Sequence, residues 1–172
     1  MIISRTPLRI SFVGGGTDMP IFYRQFGGAV INASIGLYIY VTVNPKFDGS
    51  VRVSYSRTEN VSAVDEIEHP VVRSVLRKLA IPGGVEITSI ADVPSHGTGL
   101  GSSSAFCVGL LNVMHALSAC QLAAEACEVE IDILKTPIGK QDQYASALGG
   151  SITFVSIRTA RSTCCRSTDG LC

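Results

Sequence analysis

The stretch Asp92-Val93-Pro94-Ser95-His96-Gly97-Thr98-Gly99-Leu100-Gly101-Ser102-Ser103-Ser104-Ala105 sets three alternating glycines directly ahead of three serines. Gly97, Gly99 and Gly101 permit positive φ and a close approach of backbone to ligand. Ser102, Ser103 and Ser104 add hydroxyls beside the unpaired amides of a helix start. That combination suits a phosphate. A flexible Gly/Ser turn has the same composition, so the stretch by itself leaves both readings open. It is not a generic nucleotide motif: no Lys follows the glycines as in a Walker A loop, the G-x-G-x-x-G spacing is missing, and there is no G-x-S-x-G nucleophile elbow.

Other charged residues are ambiguous taken singly. Arg9 alternates with apolar neighbours on a strand and could be plain surface. Glu130 lies among Glu125, Glu128 and Asp132, as a solvated acidic helix face would. Asp142 could be a helix cap. Lys140 is a candidate contact for a substrate phosphate, and a solvated side chain accounts for it equally well. His69, His96 and His115 lack metal-ligand spacing, and no cysteine pair has C-x-x-C spacing, so buried free thiols are the simplest reading of the cysteines.

The elements that must position these residues begin with strands over 8–13, 29–31, 37–43 and 51–55. Asp18 followed by Pro20 and closed by Gly27-Gly28 frames a short helix. Pro70 opens another over 70–80, with Val71, Val72, Val75, Leu76 and Leu79 on one face, and Pro82-Gly83-Gly84 stops it. A strand over 85–90 leads into the glycine stretch. Residues 105–117 carry apolar side chains on all sides, as a buried helix does, and 121–134 read as a further, partly acidic helix. Strands and helices alternate without strict β-α-β repetition, which favours a mixed α+β layer over a doubly wound parallel sheet.

The 172 residues carry 14 Lys+Arg against 14 Asp+Glu with 46% hydrophobic residues, enough to exclude a disordered chain and to set one domain as the expectation. Zero net charge removes the electrostatic case for a nucleic acid or an acidic membrane surface as the main partner. Arg5 and Arg9 interrupt any signal-peptide core, and the longest apolar stretch is too short to span a bilayer, so the expected location is the cytoplasm. Over 157–172 (IRTARSTCCRSTDGLC) apolar periodicity stops. The expectation is an irregular tail, read equally as an ordinary terminus or as a chain cut short or out of frame.

The spacing P-x-x-G-x-G-L-G-S-S-S-A resembles the phosphate-binding motif of the GHMP kinases, the family of galactokinase, homoserine kinase, mevalonate kinase and phosphomevalonate kinase. Thr6-Pro7-Leu8-Arg9-Ile10-Ser11-Phe12-Val13-Gly14-Gly15-Gly16-Thr17-Asp18 is similar to the first motif of the family's sugar kinases. Galactokinases have Glu-His where Gly15-Gly16 stand, and the triple glycine looks like the branch acting on heptose phosphate, with its fucokinase relatives. Pro137-Ile138-Gly139-Lys140-Gln141-Asp142-Gln143-Tyr144-Ala145 resembles the segment around the family's catalytic aspartate.

The resemblance covers roughly 2–156 and implies an α+β fold, a GHMP kinase N-terminal domain of the ribosomal protein S5 domain 2 kind. It implies ATP and Mg2+, and phosphoryl transfer to a sugar or sugar phosphate, with heptose 7-phosphate phosphorylated at C1 as the leading case. Asp142 would be the base at the sugar hydroxyl, with Arg9 as a positive charge beside it and the transferring phosphoryl. Ser103 and Glu130 would hold magnesium. Gly97, Gly99, Gly101, Ser102, Ser103 and Ser104 would wrap the ATP phosphates, and Gly15, Gly16, Thr17 and Asp18 would meet the sugar. Family members continue into a second domain whose glycine-rich third motif has no match here, and they usually connect the two helices near 118–121 by a longer turn. Two alternatives follow: a fragment that binds nucleotide or sugar without turnover, and a noncatalytic interaction domain.

Overall fold

The computed structural model describes residues 1–94, 97–115, 117–156 and 162–166, the last two strands by their backbones. In chain order the elements are β1 (Ile2–Val13), α1 (Pro20–Phe26), β2 (Gly28–Pro45), β3 (Val51–Ser54), β4 (Thr58–Val61), α2 (Pro70–Lys78), β5 (Val85–Ala91), α3 (Ser102–Met114), α4 (Ala119–Cys127), α5 (Gln141–Leu148), β6 (Ser151–Ser156) and β7 (Ser162–Arg166). A 3-10 turn at Gly15–Asp18 follows β1, and a wide π-helical turn at Glu128–Ile133 extends α4. The mixed α+β layer expected from the sequence is what forms.

One mixed sheet organises the chain, in the order β4-β3-β5-β2-β6-β7, with β1 paired along the other side of β2. β2 is its spine. The sequence suggests two strands, 29–31 and 37–43, but the structure has one of 18 residues. It spans two neighbours in succession: Gly28–Ala33 pairs with β6 and Ile39–Pro45 with β5, both antiparallel. Among the described strands only β3 and β5 run parallel, joined through β4 and α2.

Helices α2, α3 and α4 build the core against the sheet residues Leu8, Val41, Val53 and Ile87. Pro70 sits in the first turn of α2 and His69 Nδ1 accepts the Val72 amide, while Val71, Val72, Val75 and Leu76 are buried on the inner face. In α3 every residue from Ser104 to Leu111 is buried. Gly109 lets α3 lie close on β1: a Cβ there would stand 2.7 Å from Thr6 Oγ1, and the Ser4 hydroxyl donates to the Gly109 carbonyl at 2.9 Å. The first turn of α4 is closed by a capping box between Ser118 and Gln121, which suits a short connection.

Within 157–172, expected to be irregular, residues Ser162–Arg166 pair with β6 as the edge strand β7. The rest of that tail, and Ser95 and His96 of the glycine-rich stretch, lie outside the described residues. Among the described residues, no helix is long and apolar enough to cross a membrane.

Candidate active site

Three segments far apart in sequence meet at one end of the sheet: the second half of β1 with its 3-10 turn, the glycine stretch opening α3, and the start of α5. Arg9 joins them. Its Nε and Nη2 donate to Asp142 Oδ1 at 2.7 and 2.6 Å, and its Nη1 donates to the Gly99 carbonyl at 2.8 Å. The Arg9 amide also donates to the Leu100 carbonyl at 3.2 Å. One guanidinium therefore ties the carboxylate of α5 to the backbone of the glycine loop.

The loop's glycines have the conformations their type allows. Gly97, Gly99 and Gly101 stand at φ 77°, 65° and 75°. A Cβ on Gly97 or Gly99 would meet nothing within 4 Å, so this backbone presents an open face. Gly101 occupies the N-cap of α3 with no side-chain capping bond, leaving the first amides of the helix for another acceptor. Ser102 is half-buried and Ser103 exposed, at the mouth of the loop. Ser104 is buried, and its hydroxyl accepts from Gln143 Nε2 at 3.2 Å. Only its backbone is left to serve a phosphate.

Behind the loop lies a buried carboxylate. Glu130 is 2% exposed, and burial pushes its carboxyl above the ordinary value, against hydrogen bonds from Ser104, Gln143 and Ser103 that hold it down. Ser103 Oγ donates to Glu130 Oε1 at 3.0 Å, and Gln143 Nε2 to Glu130 Oε2 at 2.6 Å. Two oxygens on adjacent corners of an octahedron with bonds of about 2.1 Å lie about 3 Å apart. The Ser103–Glu130 pair has that spacing. No group of three His, Cys, Asp or Glu converges among the described residues. One carboxylate and one hydroxyl suit a magnesium ion that draws its other oxygens from phosphates and water.

The four residues expected at the sugar divide. Gly15 is half-buried and Gly16 exposed, with nothing within 4 Å of a Cβ built on Gly16. Thr17 is occupied by the fold: its hydroxyl donates to the carbonyls of Gly14 and Ala29 and accepts the Ala29 amide at 3.1 Å. Asp18 is fully buried, and its Oδ2 accepts the Gln141 amide at 2.8 Å. Lys140 carries its ammonium 5.8 Å from the centroid of the Tyr23 ring. Sequence reasoning passed over Ser11, whose hydroxyl donates to Gln141 Oε1 at 2.5 Å, and Gln143. The signal for both was adjacency: Ser11 shares a strand face with Arg9, and Gln143 follows Asp142.

The family model for the GHMP kinases N terminal domain matches residues 66–150, which include the glycine loop, Glu130 and Asp142. The D-glycero-alpha-D-manno-heptose 7-phosphate kinase of Campylobacter jejuni is 32% identical over 169 residues, covering 87% of this chain and 49% of its own length. The L-fucokinase/L-fucose-1-P guanylyltransferase of Bacteroides fragilis is 27% identical over 192 residues, covering 87% of this chain and 20% of its own. Among solved structures, a D-glycero-D-manno-heptose 1-phosphate kinase from Bacteroides thetaiotaomicron superposes with a TM-score of 0.86 at 27% identity, covering 96% of this chain and 59% of that one. The chain thus spans about half the length of the first of these curated relatives. Residues 66–150 thus match the GHMP kinases N terminal domain, and they carry the glycine loop, the buried Glu130 and the Asp142 with which Arg9 pairs.

Proposed function

We propose that this domain serves an ATP-dependent phosphotransferase acting in the cytoplasm on a hydroxyl of a sugar phosphate, with D-glycero-D-manno-heptose 7-phosphate the acceptor and C1 the position. Similarity to one relative named for heptose 7-phosphate and another named for heptose 1-phosphate supports a heptose phosphate. The observation that carries the reading is the Arg9 bridge, which fastens the carboxylate of Asp142 to the carbonyl of Gly99 in the loop.

In this reading Asp142 takes the proton of the attacking hydroxyl as its oxygen bonds to the γ-phosphorus of ATP and the bond to ADP breaks. General-base help of this kind is worth about 10²–10⁴ in rate. Arg9 sits where it can neutralise the transferring phosphoryl, and the amides at the start of α3 receive the phosphates. Ser103 and Glu130 would hold the magnesium ion, whose charge, when bound, neutralises the phosphate oxygens. Gly15 and Gly16, without side chains, leave room for the acceptor. Removing the base alone tests the assignment. Magnesium-ATP should raise the melting temperature of the chain, and heptose 7-phosphate should then release ADP. Asp142→Asn should abolish release and spare the shift. A chain that ATP does not stabilise would sink the phosphate cradle.

A second reading rests on length. The chain spans about half of its curated heptose-kinase relative, and a domain that binds without turnover would give the thermal shift with no ADP.

A further inference from the structure

Gln141 is the first residue of α5 and the immediate neighbour of Asp142. Two of its polar groups are taken by other elements. Its backbone amide donates to Asp18 Oδ2 at 2.8 Å, and its side-chain Oε1 accepts the Ser11 hydroxyl at 2.5 Å. The residue is thus held from the 3-10 turn and from β1, and a side-chain amide whose oxygen is bound on one side presents its NH2 to the other. That edge is turned to the 3-10 turn: Nε2 would stand 3.5 Å from a Cβ on Gly15, and it meets no acceptor among the described residues. Position 15 has no side chain to cover it. The next residue, Gly16, is exposed, with nothing within 4 Å of a Cβ built there. Gln141 itself is half-buried, so its two N–H donors are fixed in place before any ligand arrives.

We propose that Gln141 is a specificity-determining residue for the acceptor: its Nε2 donates to the sugar hydroxyl next to the one that reacts. This rests on the reading of Asp142 as the base and of a sugar phosphate as the acceptor. A primary amide is a neutral donor and suits a hydroxyl, whereas a phosphate draws the charged fork of Arg or the ammonium of Lys. The neighbouring hydroxyl is the one within reach because Gln141 directly precedes Asp142 at the start of α5. With C1 reacting, that hydroxyl is the one on C2. Such a donor discriminates by loss, since an acceptor without the hydroxyl leaves a desolvated N–H unpaired.

The test uses the whole chain and does not need turnover. The wild type and Gln141→Met, which keeps the length of the side chain and removes its polar atoms, are titrated with heptose 7-phosphate and with its 2-deoxy analogue, and ADP release is read in parallel. The wild type should bind the 2-deoxy analogue about five- to tenfold more weakly than the parent sugar. Gln141→Met should bind the parent sugar about five- to tenfold more weakly than the wild type does, and the analogue within about twofold of it. Its stabilisation by magnesium-ATP should match the wild type, which shows that the site is still folded. Equal binding of both sugars by the wild type would overturn the assignment without any variant. Parent-sugar affinity unchanged in Gln141→Met would also overturn it, as would an equal loss for both sugars. A wild type that discriminates between the sugars and releases no ADP would sink the base reading and leave Gln141 standing. One that releases ADP with Gln141→Met binding normally would do the reverse, and one that binds neither sugar would overturn both.

Discussion

A Cβ placed on Gly101 would stand 3.1 Å from Asp142 Oδ2 and 3.4 Å from Arg9 Nε. The last glycine of the loop therefore packs directly on the ion pair, and the phosphate-facing backbone and the base cannot move independently. Gly101→Ala adds a methyl at that contact and at φ 75°, where an L side chain costs about 1–2 kcal/mol. The variant should fold with a slightly lower melting temperature and lose most of its stabilisation by magnesium-ATP, read by thermal shift.

Arg9 holds three acceptors on two segments, and its side chain is 11% exposed against 21% for Asp142. Arg9→Gln should cost about 1–3 kcal/mol of stability, because it leaves a largely buried carboxylate with weaker partners. Arg9→Lys should recover little, since one ammonium cannot reproduce a planar fork reaching Asp142 and Gly99 together. Denaturant unfolding of the three proteins measures both claims.

Burial pushes the Asp18 carboxyl from 3.8 up to about 6, against the Gln141 and Lys140 amides that lower it; the Asp142 charge raises it further and Lys140 lowers it. Between those two values the folded state binds the proton that the unfolded chain releases. Asp18 therefore favours folding below about pH 4, and that advantage is lost as pH rises through about 6. The loss is on the order of 3 kcal/mol. Asp18→Asn, which carries no titrating proton, should flatten this part of the stability profile. Urea unfolding at pH 4, 5, 6 and 7 reads the difference.

Glu130→Gln should separate magnesium from ATP. The amide keeps the shape and removes a buried charge, but its single oxygen can accept from only one of Ser103 and Gln143, so the ligand-free protein should stay folded with a melting temperature close to that of the wild type. The extra stabilisation that magnesium adds to ATP should disappear, as it should in Ser103→Ala. A full magnesium increment in both variants would place the ion elsewhere.

Gly109→Ala probes the seam behind the site. Its methyl would press within 2.7 Å of Thr6 Oγ1 and 3.0 Å of Ser4 Oγ, and lifting α3 from β1 should cost about 1–3 kcal/mol in thermal unfolding.

What the sequence disclosed was local pattern, and what it hid was pairing. The α2 helix was legible because its Pro start and apolar face are local signals. The glycine loop was legible through its spacing, although α3 begins at Ser102, three residues before its apolar run, because Gly101 takes the cap. β2 was read as two strands because Asn32, Ser34 and Gly36 break the apolar run. Asn32 is nevertheless buried and the Ser34 hydroxyl donates to the Ala145 carbonyl under α5, a partner 111 residues away. Tertiary packing also hid Gln143, whose bonds to Glu130 and Ser104, 13 and 39 residues away, depend on α5 packing beside the π-helical turn. Asp18 was legible as part of a motif and not as a buried group, because burial depends on Gly139 making room across the fold.

The continuous β2 spine also governs when the site can exist. Its half nearest the site pairs Gly28 with Ser156, and Arg9 meets Asp142 across 133 residues. Contacts of such separation form slowly, after the local hairpins and helices. During synthesis the strands β1 to β5 can assemble while Asp142 and β6 are still inside the ribosome. The nascent chain would then hold half a sheet with an unpaired β2 edge, and a stall before residue 156 would leave that edge open to the wrong partner.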